Sequence, residues 1–350
     1  MDKSKKIIVG ISIGDFNGIG IEIALKTFLD KRMLDFCTPI IFGSTKLVTA
    51  YKKTMDINVQ FNGIKHVDRA IHGKLNILNL WNEDIEINLG TPTQGSGKYA
   101  FESLEAVTNS LAKGEIDVLV TAPINKDNIQ SEDFKFPGHT EFLESKLEGE
   151  SLMILMADKL RIGLITGHIP VSKISETITP NLIKKKIAIL YNTLVQDFAI
   201  SKPKIAILGL NPHCGDNGVI GNEDDNIIRP TITEIQNEGQ LVYGPYAADS
   251  FFGSENYKNF DAILAMYHDQ GLAPFKTLSF GEGVNFTAGL NKVRTSPDHG
   301  TAYELAGKEL ANINSFKEAV FSGIQIFKTR EEYKSLTENT LKAAKKKEKR

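Results

Sequence analysis

The sequence predicts an α/β protein with a largely parallel sheet, on two grounds. Short apolar runs alternate with longer amphipathic ones along nearly the whole chain, the signature of successive strand–helix units. Length and composition agree: 350 residues, 41% hydrophobic and 24% charged, suffice for one large α/β domain or two smaller ones. No internal repeat or low-complexity linker interrupts the pattern, so any domain boundary passes through packed structure.

The elements follow in order. "KIIVGISI" (6–13) reads as a strand and "GIGIEIALKTFLD" (18–30) as a helix. "TPIIFG" is a strand and "STKLVTAYKKT" a helix. Two extended runs, "NVQFNGI" and "LNILNL", precede a helix from about Gly97 to Lys113 and the strand "DVLVTAP". "HTEFLESKLEG" is a short helix. "SLMILMAD" and "LRIGLITGH" read as paired strands turning at Lys159-Leu160. One long helix is expected from about Ser172 to Phe198, then the strand "KIAILGL". "DDNIIRPTITEIQNEG" reads as a helix despite Pro230, and "DAILAMYH" as a buried strand. "VNFTAGL" is extended, Gly300-Thr301 opens an expected helix ending at Gly307, and a last long helix starts near Ser315.

Several classes are excluded. Formal net charge is −2, so no global basic field attracts nucleic acid. The one charge run, "KAAKKKEKR", reads as a solvated helix end. Two cysteines, Cys37 and Cys214, make no disulfide framework and no metal spacing, which fits a reducing cytoplasm. The N-terminal apolar run is too short for a signal peptide, and no run reaches the roughly 18–20 apolar residues that span a membrane.

Three of seven histidines share one context: His168 in "LITGHIP", His213 in "ILGLNPHCGDNG" and His268 in "ILAMYHDQG" each follow an expected strand. Carboxyl ends of strands line the ligand crevice of an open α/β sheet. Three imidazoles delivered there are a candidate metal site with positions left for water or substrate. Taken singly, each also reads as a hydrogen-bonded loop histidine. In "FPGHTEFLESKL", Thr140 is either a plain N-cap or, with Gly138 and His139, part of an anion site at a helix start. Arg294 suits bidentate binding of a carboxylate or phosphate, or a surface ion pair. "GDFNGIGIEIA" lacks the third Rossmann glycine, and "QGSGKYA" lacks the flanks of a Walker loop.

The series "GDFNGIGIEI", "TAPINK", "GHTEFL", "TGHIP", "GLNPHCGDNG", "AADSFF", "YHDQGLAPFK" and "VNFTAGLNKVRTSPDHGTAYELAGK" resembles the 4-hydroxythreonine-4-phosphate dehydrogenase family of vitamin B6 biosynthesis, from about Ile7 to Phe327. The last stretch also resembles the cofactor loop of isocitrate and isopropylmalate dehydrogenases. The resemblance implies that two-domain fold, with the active site in the interdomain cleft. Residues 1–135 with 286–340 would form one domain, 136–285 the other, and 341–350 a basic tail. It implies NAD or NADP at Asp298, His299, Gly300 and Thr301, and one divalent metal (zinc, magnesium or cobalt) on His168, His213 and His268. It implies a small phosphorylated substrate on His139, Thr140, Lys276, Asn285 and Arg294. It further implies a cytoplasmic homodimer whose metal ligands come from both subunits.

Lys276 and Asp249 are the candidates for proton transfer, and Asp269 for orienting an imidazole or shaping a turn. Gly271 and Pro274 are expected to form a turn that returns Lys276 to the substrate. The chain departs from the family pattern at Phe16-Asn17, Gly167, Cys214-Gly215-Asp216 and Asn291-Lys292-Val293. These departures leave open a related threonate or erythronate phosphate as substrate. A phosphate acyltransferase of the same fold is a second class, which the three histidines argue against.

Overall fold

The structure, a computed structural model, describes residues 6–339 apart from Phe280. The basic tail expected at 341–350 lies outside the described residues. Among these, twelve strands form one sheet: β1 (Ile8–Ser12), β2 (Thr38–Gly43), β3 (Phe61–Ile64), β4 (Leu75–Asn79), β5 (Val118–Thr121), β6 (Gly149–Ala157), β7 (Leu160–Leu164), β8 (Ile205–Leu208), β9 (Val242–Tyr246), β10 (Ala262–Ala265), β11 (Val284–Leu290) and β12 (Val293–Pro297). Their order is β3-β4-β2-β1-β5-β12-β11-β6-β7-β10-β8-β9.

The first six strands in that order are parallel, and so are the last four. Between β12 and β7 every pairing is antiparallel, so the two parallel blocks run in opposite directions. The expected domain division falls within this continuous sheet, and β11 spans its boundary at residue 285. Strands β2, β5, β8 and β10 are buried along their whole length, because helices cover both faces of a parallel sheet.

The helices are α1 (Gly20–Thr27), α2 (Thr45–Thr54), α3 (Gln94–Lys113), α4 (His139–Lys146), α5 (Pro180–Gln196), α6 (Arg229–Asn237), α7 (His268–Ser279) and α8 (Asn314–Thr337), with shorter turns between them. None among the described residues is long and apolar enough to cross a membrane. Helix α3 starts before the expected Gly97 because Thr93 and Ser96 form a reciprocal capping box. Gly97 is needed there for another reason: a Cβ would sit 2.0 Å from the Asn128 carbonyl oxygen.

Five expectations need correction. The long helix expected from Ser172 is a short helix, Ile174–Thr177, followed by a break before α5. Pro180 disfavours helical backbone at Thr179, whose hydroxyl instead caps α5 through Leu182 N (3.2 Å). The helix expected from Gly300 to Gly307 is only a 3₁₀ turn at Tyr303–Leu305, since Ala302 is left-handed. The β6–β7 turn lies at Asp158-Lys159, with Asp158 at φ 48°. The run "HDQGLAPFK", read as a turn, is most of helix α7. Pro274 sits inside it, where the helix tolerates one missing N–H. Strand β9 has no counterpart among the expected elements; it carries Pro245, which is tolerated because β9 is an edge strand.

The last helix is tied to the end of α5 and the end of β11 through a buried ion pair and a backbone contact. Arg330 donates Nε and Nη2 to the Asp197 carboxylate (2.7 and 2.8 Å) and Nη1 to the Leu290 carbonyl (3.0 Å).

Candidate active site

The antiparallel centre of the sheet forms one wall of a cavity of about 240 Å³. Asn285 on β11 stands opposite Ser296 on β12 and opposite Leu155 on β6, and Thr287 stands opposite Met153. Side chains two residues apart share a face, so Arg294 joins Ser296 on this wall. Thr121 at the end of β5, Lys126 in the loop after it, Gly138–Thr140 at the start of α4, His168 and His268 complete much of the lining. Asp298, His299 and Gly300 enter from the loop after β12.

Arg294 is 2% exposed. Its Nε and Nη2 donate to Thr121 Oγ1 (3.1 and 2.5 Å) and its Nη1 to Thr287 Oγ1 (3.0 Å). Among the described residues no carboxylate forms an ion pair with it. Burial pushes its pKa down to about 9, with the charge of Glu141 acting the other way, and the guanidinium stays cationic at neutral pH. A buried cation served only by neutral hydroxyls is costly, and an incoming anion relieves that cost.

Unsatisfied polar atoms gather around it. His139 Nε2, Asn285 Oδ1 and His299 Nε2 are buried without hydrogen-bond partners, and all three residues line the cavity. Burial, reinforced by the charges of Arg294 and Lys126, holds His139 neutral, well below the usual histidine range. Burial also lowers His299, against the pull of its bond to the Gly300 carbonyl (3.1 Å). These groups donate and accept; a polar, anionic ligand satisfies them.

The strands behind His168, His268 and His213 are neighbours in the order β7-β10-β8, as the shared sequence context implies. The rings of His168 and His268 lie 5.5 Å apart. His168 Nδ1 faces Glu141 Oε1 (3.2 Å), and His268 Nδ1 faces Asp269 Oδ1 (2.7 Å). Asp269 thus bonds its own neighbour's imidazole. Burial raises the Glu141 carboxyl, but the bonds from His168 and the backbone outweigh it and the net shift is downward. With each Nδ1 on a carboxylate, each Nε2 keeps its lone pair for a cation, the arrangement carboxylate–histidine–metal sites use. Lys126 Nζ already lies 3.4 Å from His168 Nε2. The donor chemistry fits a divalent cation at two positions.

The structure does not bring the third one in. His213 is exposed and does not line the cavity, and among the described residues no group of three His, Cys, Asp or Glu side chains is placed to hold a metal. The reason is local: residues 213–218 all have positive φ, a left-handed run that carries His213 on the surface. Asp249 is exposed too, and its charge bears on Cys214 beside His213, so the two candidates share a surface outside this cavity. Lys276 is exposed on α7 and donates to the Asp298 carbonyl (3.0 Å) rather than lining the pocket. Thr301 also stays out of the lining, its carbonyl accepting from Ile19 N (3.0 Å).

Sequence reasoning missed Lys126, Glu141, Thr121 and Ser296. "TAPINK" held a signal for the first, since Lys126 follows a strand end just as the histidines do. None of the residues that depart from the family pattern lines the cavity. Phe16 and Asn17 are buried: Phe16 packs near Tyr99, and Asn17 Oδ1 accepts from Asn88 N (2.8 Å).

The chain is similar to known proteins over most of its length. The family described as pyridoxal phosphate biosynthetic protein PdxA matches residues 35–322. A 4-hydroxythreonine-4-phosphate dehydrogenase of Bacteroides thetaiotaomicron is 48% identical over 97% of this chain and 94% of its own. A putative D-threonate 4-phosphate dehydrogenase of Oceanobacillus iheyensis is 36% identical over 93% of this chain and 100% of its own. The crystal structure of a 4-hydroxythreonine-4-phosphate dehydrogenase from Burkholderia phymatum superposes with a TM-score of 0.74 at 32% identity, covering 92% of this chain and 98% of that one. A fold shared over 92% of the chain, a family match over most of it and near-half identity to a relative lead to one conclusion: the chain belongs to the PdxA family.

Proposed function

We propose that this protein oxidises the C3 hydroxyl of 4-phosphooxy-L-threonine, with a nicotinamide dinucleotide as hydride acceptor. The product, 2-amino-3-oxo-4-phosphooxybutanoate, is a β-keto acid and loses CO₂ to give 3-amino-2-oxopropyl phosphate. The observation that carries this reading is Arg294, a buried cation without a carboxylate partner, set among orphaned polar atoms in one cavity. The names of the family relatives supply the substrate.

Each group then has a task. Arg294, His139 and Thr140 hold the anionic ends of the substrate, and Asn285 offers its free amide oxygen to an N–H or O–H. His168 and His268 present Nε2 lone pairs to a divalent cation, and His213 of the partner subunit supplies the third nitrogen in a homodimer. Glu141 and Asp269 hold the two rings in the Nδ1–H tautomer. The cation, when bound, lowers the pKa of the alcohol and polarises the ketone. The loop of Asp298, His299 and Gly300, which enters the cavity lining, would hold the nicotinamide dinucleotide together with Thr301. Lys276, at the rim beside Asp298, is the candidate for proton transfer, and Asp249 of the partner subunit the alternative.

A second substrate, a threonate or erythronate 4-phosphate, is favoured by the likeness to the Oceanobacillus iheyensis protein. NADH formation measured on a panel of the three phosphorylated acids tests both readings. The highest kcat/KM is expected for 4-phosphooxy-L-threonine; higher turnover of a sugar-acid phosphate shifts the assignment, and no turnover of any of them rejects it.

A further inference from the structure

Lys126 is exposed at the cavity mouth and has no part in the reading above. Its backbone is nonetheless fixed. Asn125 Oδ1 accepts from Asp127 N (2.9 Å) and Asn128 N (3.2 Å), and Gln130 Nε2 donates to the Lys126 carbonyl (2.9 Å). The stem runs past Gly138, where a Cβ would lie 3.9 Å from Lys126 Cε, so the side chain lies over the start of α4. Among the described residues the ammonium forms no ion pair. Its one polar contact is His168 Nε2 at 3.4 Å, beyond the usual range for N–H donors. Its charge and that of Arg294 both bear on His139, which lines the same cavity and keeps an unpartnered Nε2.

We infer that Lys126 binds the phosphate of the substrate, together with His139 and Arg294. The inference rests on the reading of a phosphorylated substrate. A phosphate monoester carries close to two negative charges at neutral pH. Arg294 alone leaves it undercompensated in a cavity whose remaining charged lining residue is the carboxylate Asp298. An ammonium is a compact charge with three rotatable donors, suited to a phosphate oxygen that arrives from variable directions. Exchanging a long contact to an imidazole for a short charge-assisted bond favours the bound state. A structural role does not account for the residue, because an exposed side chain with no ion pair contributes little to stability.

Lys126→Met and Lys126→Arg test this in the full-length protein. In Lys126→Met the KM for the phosphorylated substrate rises about tenfold or more, with kcat within about threefold. The affinity for inorganic phosphate, read by calorimetry, falls in parallel, and Lys126→Arg restores most of both. Inhibition by L-threonine, which carries no phosphate, is unchanged. Unaltered phosphate affinity in Lys126→Met overturns the inference, and so does an equal loss of L-threonine inhibition, which places the lysine on the carboxylate. Failure of the wild-type protein to oxidise any phosphorylated acid rejects the functional reading instead, and the calorimetric arm still decides the role of Lys126.

Discussion

Arg294 is a charge kept from water, held by the hydroxyls of Thr121 and Thr287. Its proposed role is in binding, so Arg294→Met separates activity from stability. We expect kcat/KM to fall about tenfold to a hundredfold, the loss of a charged hydrogen bond. The unfolding midpoint is expected to hold or rise, because an uncompensated buried charge has gone. Steady-state kinetics beside a thermal melt checks both halves, and a large drop in the midpoint would assign the arginine to the fold. His139 makes a prediction in pH. The unfolded chain takes up a proton on this residue near pH 6.5, the folded chain only well below. Between those values the unfolded state binds more protons, so stability is full above about pH 6.5 and declines as pH falls through that window. His299 acts in the same direction. Urea midpoints taken across the window should fall with acidification, and less steeply in His139→Asn.

At the scale of elements, the segment that carries His213 is the most unusual. Its non-glycine left-handed residues each cost roughly 1–2 kcal/mol, so the surroundings must hold the run in place. Asp224 is fully buried and accepts from Leu210 N (2.8 Å), Asn211 N (2.9 Å) and Asn211 Nδ2 (3.0 Å), which fixes the approach to the run. Asp224→Ala leaves the Leu210 and Asn211 backbone N–H groups unpaired, while Asn211 Nδ2 keeps Glu223 Oε2 (2.8 Å), and is expected to cost about 2–4 kcal/mol. Metal content measured on the folded variant should fall, and full retention would show that the run is set without Asp224. Helix α7 teaches a related lesson. Its Gly271 and Pro274 both argue for a turn, yet Gly271 is buried where a Cβ would lie 2.7 Å from Leu164 Cδ2, so the glycine serves close packing on β7. Tertiary contact overrode local propensity.

At the scale of the whole molecule, the proposed site is incomplete in one chain, which leaves His213 and Asp249 outside the cavity. Exposed Ile169, Val171, Val219 and Ile220 lie close in sequence to His168 and His213, and in the proposed homodimer they are the apolar groups a second copy would cover. A shared site predicts complementation. Neither His168→Ala nor His213→Ala turns over alone, yet a random mixture of the two refolded together recovers about a quarter of wild-type activity. Half of such dimers are mixed, and each mixed dimer holds one complete site. Recovery absent from a mixture shown to contain mixed dimers would place all three ligands in one subunit.

Alternating apolar and amphipathic runs determined the α/β class, and strand-end histidines singled out two residues, His168 and His268, that the structure places in the cavity lining. The sequence could do this because burial and strand polarity are written locally, in composition and period. The motifs likewise marked His139, Arg294 and the loop at Asp298. Only the tertiary structure decided that two opposed parallel blocks meet through antiparallel β12, β11 and β6, because pairing between distant strands leaves no local trace. It alone placed Lys126 and Glu141 at either side of His168 and left His213 on the surface. Those outcomes depend on cross-strand register and on a left-handed turn whose approach is held by the buried carboxylate of Asp224, and neither follows from residue order.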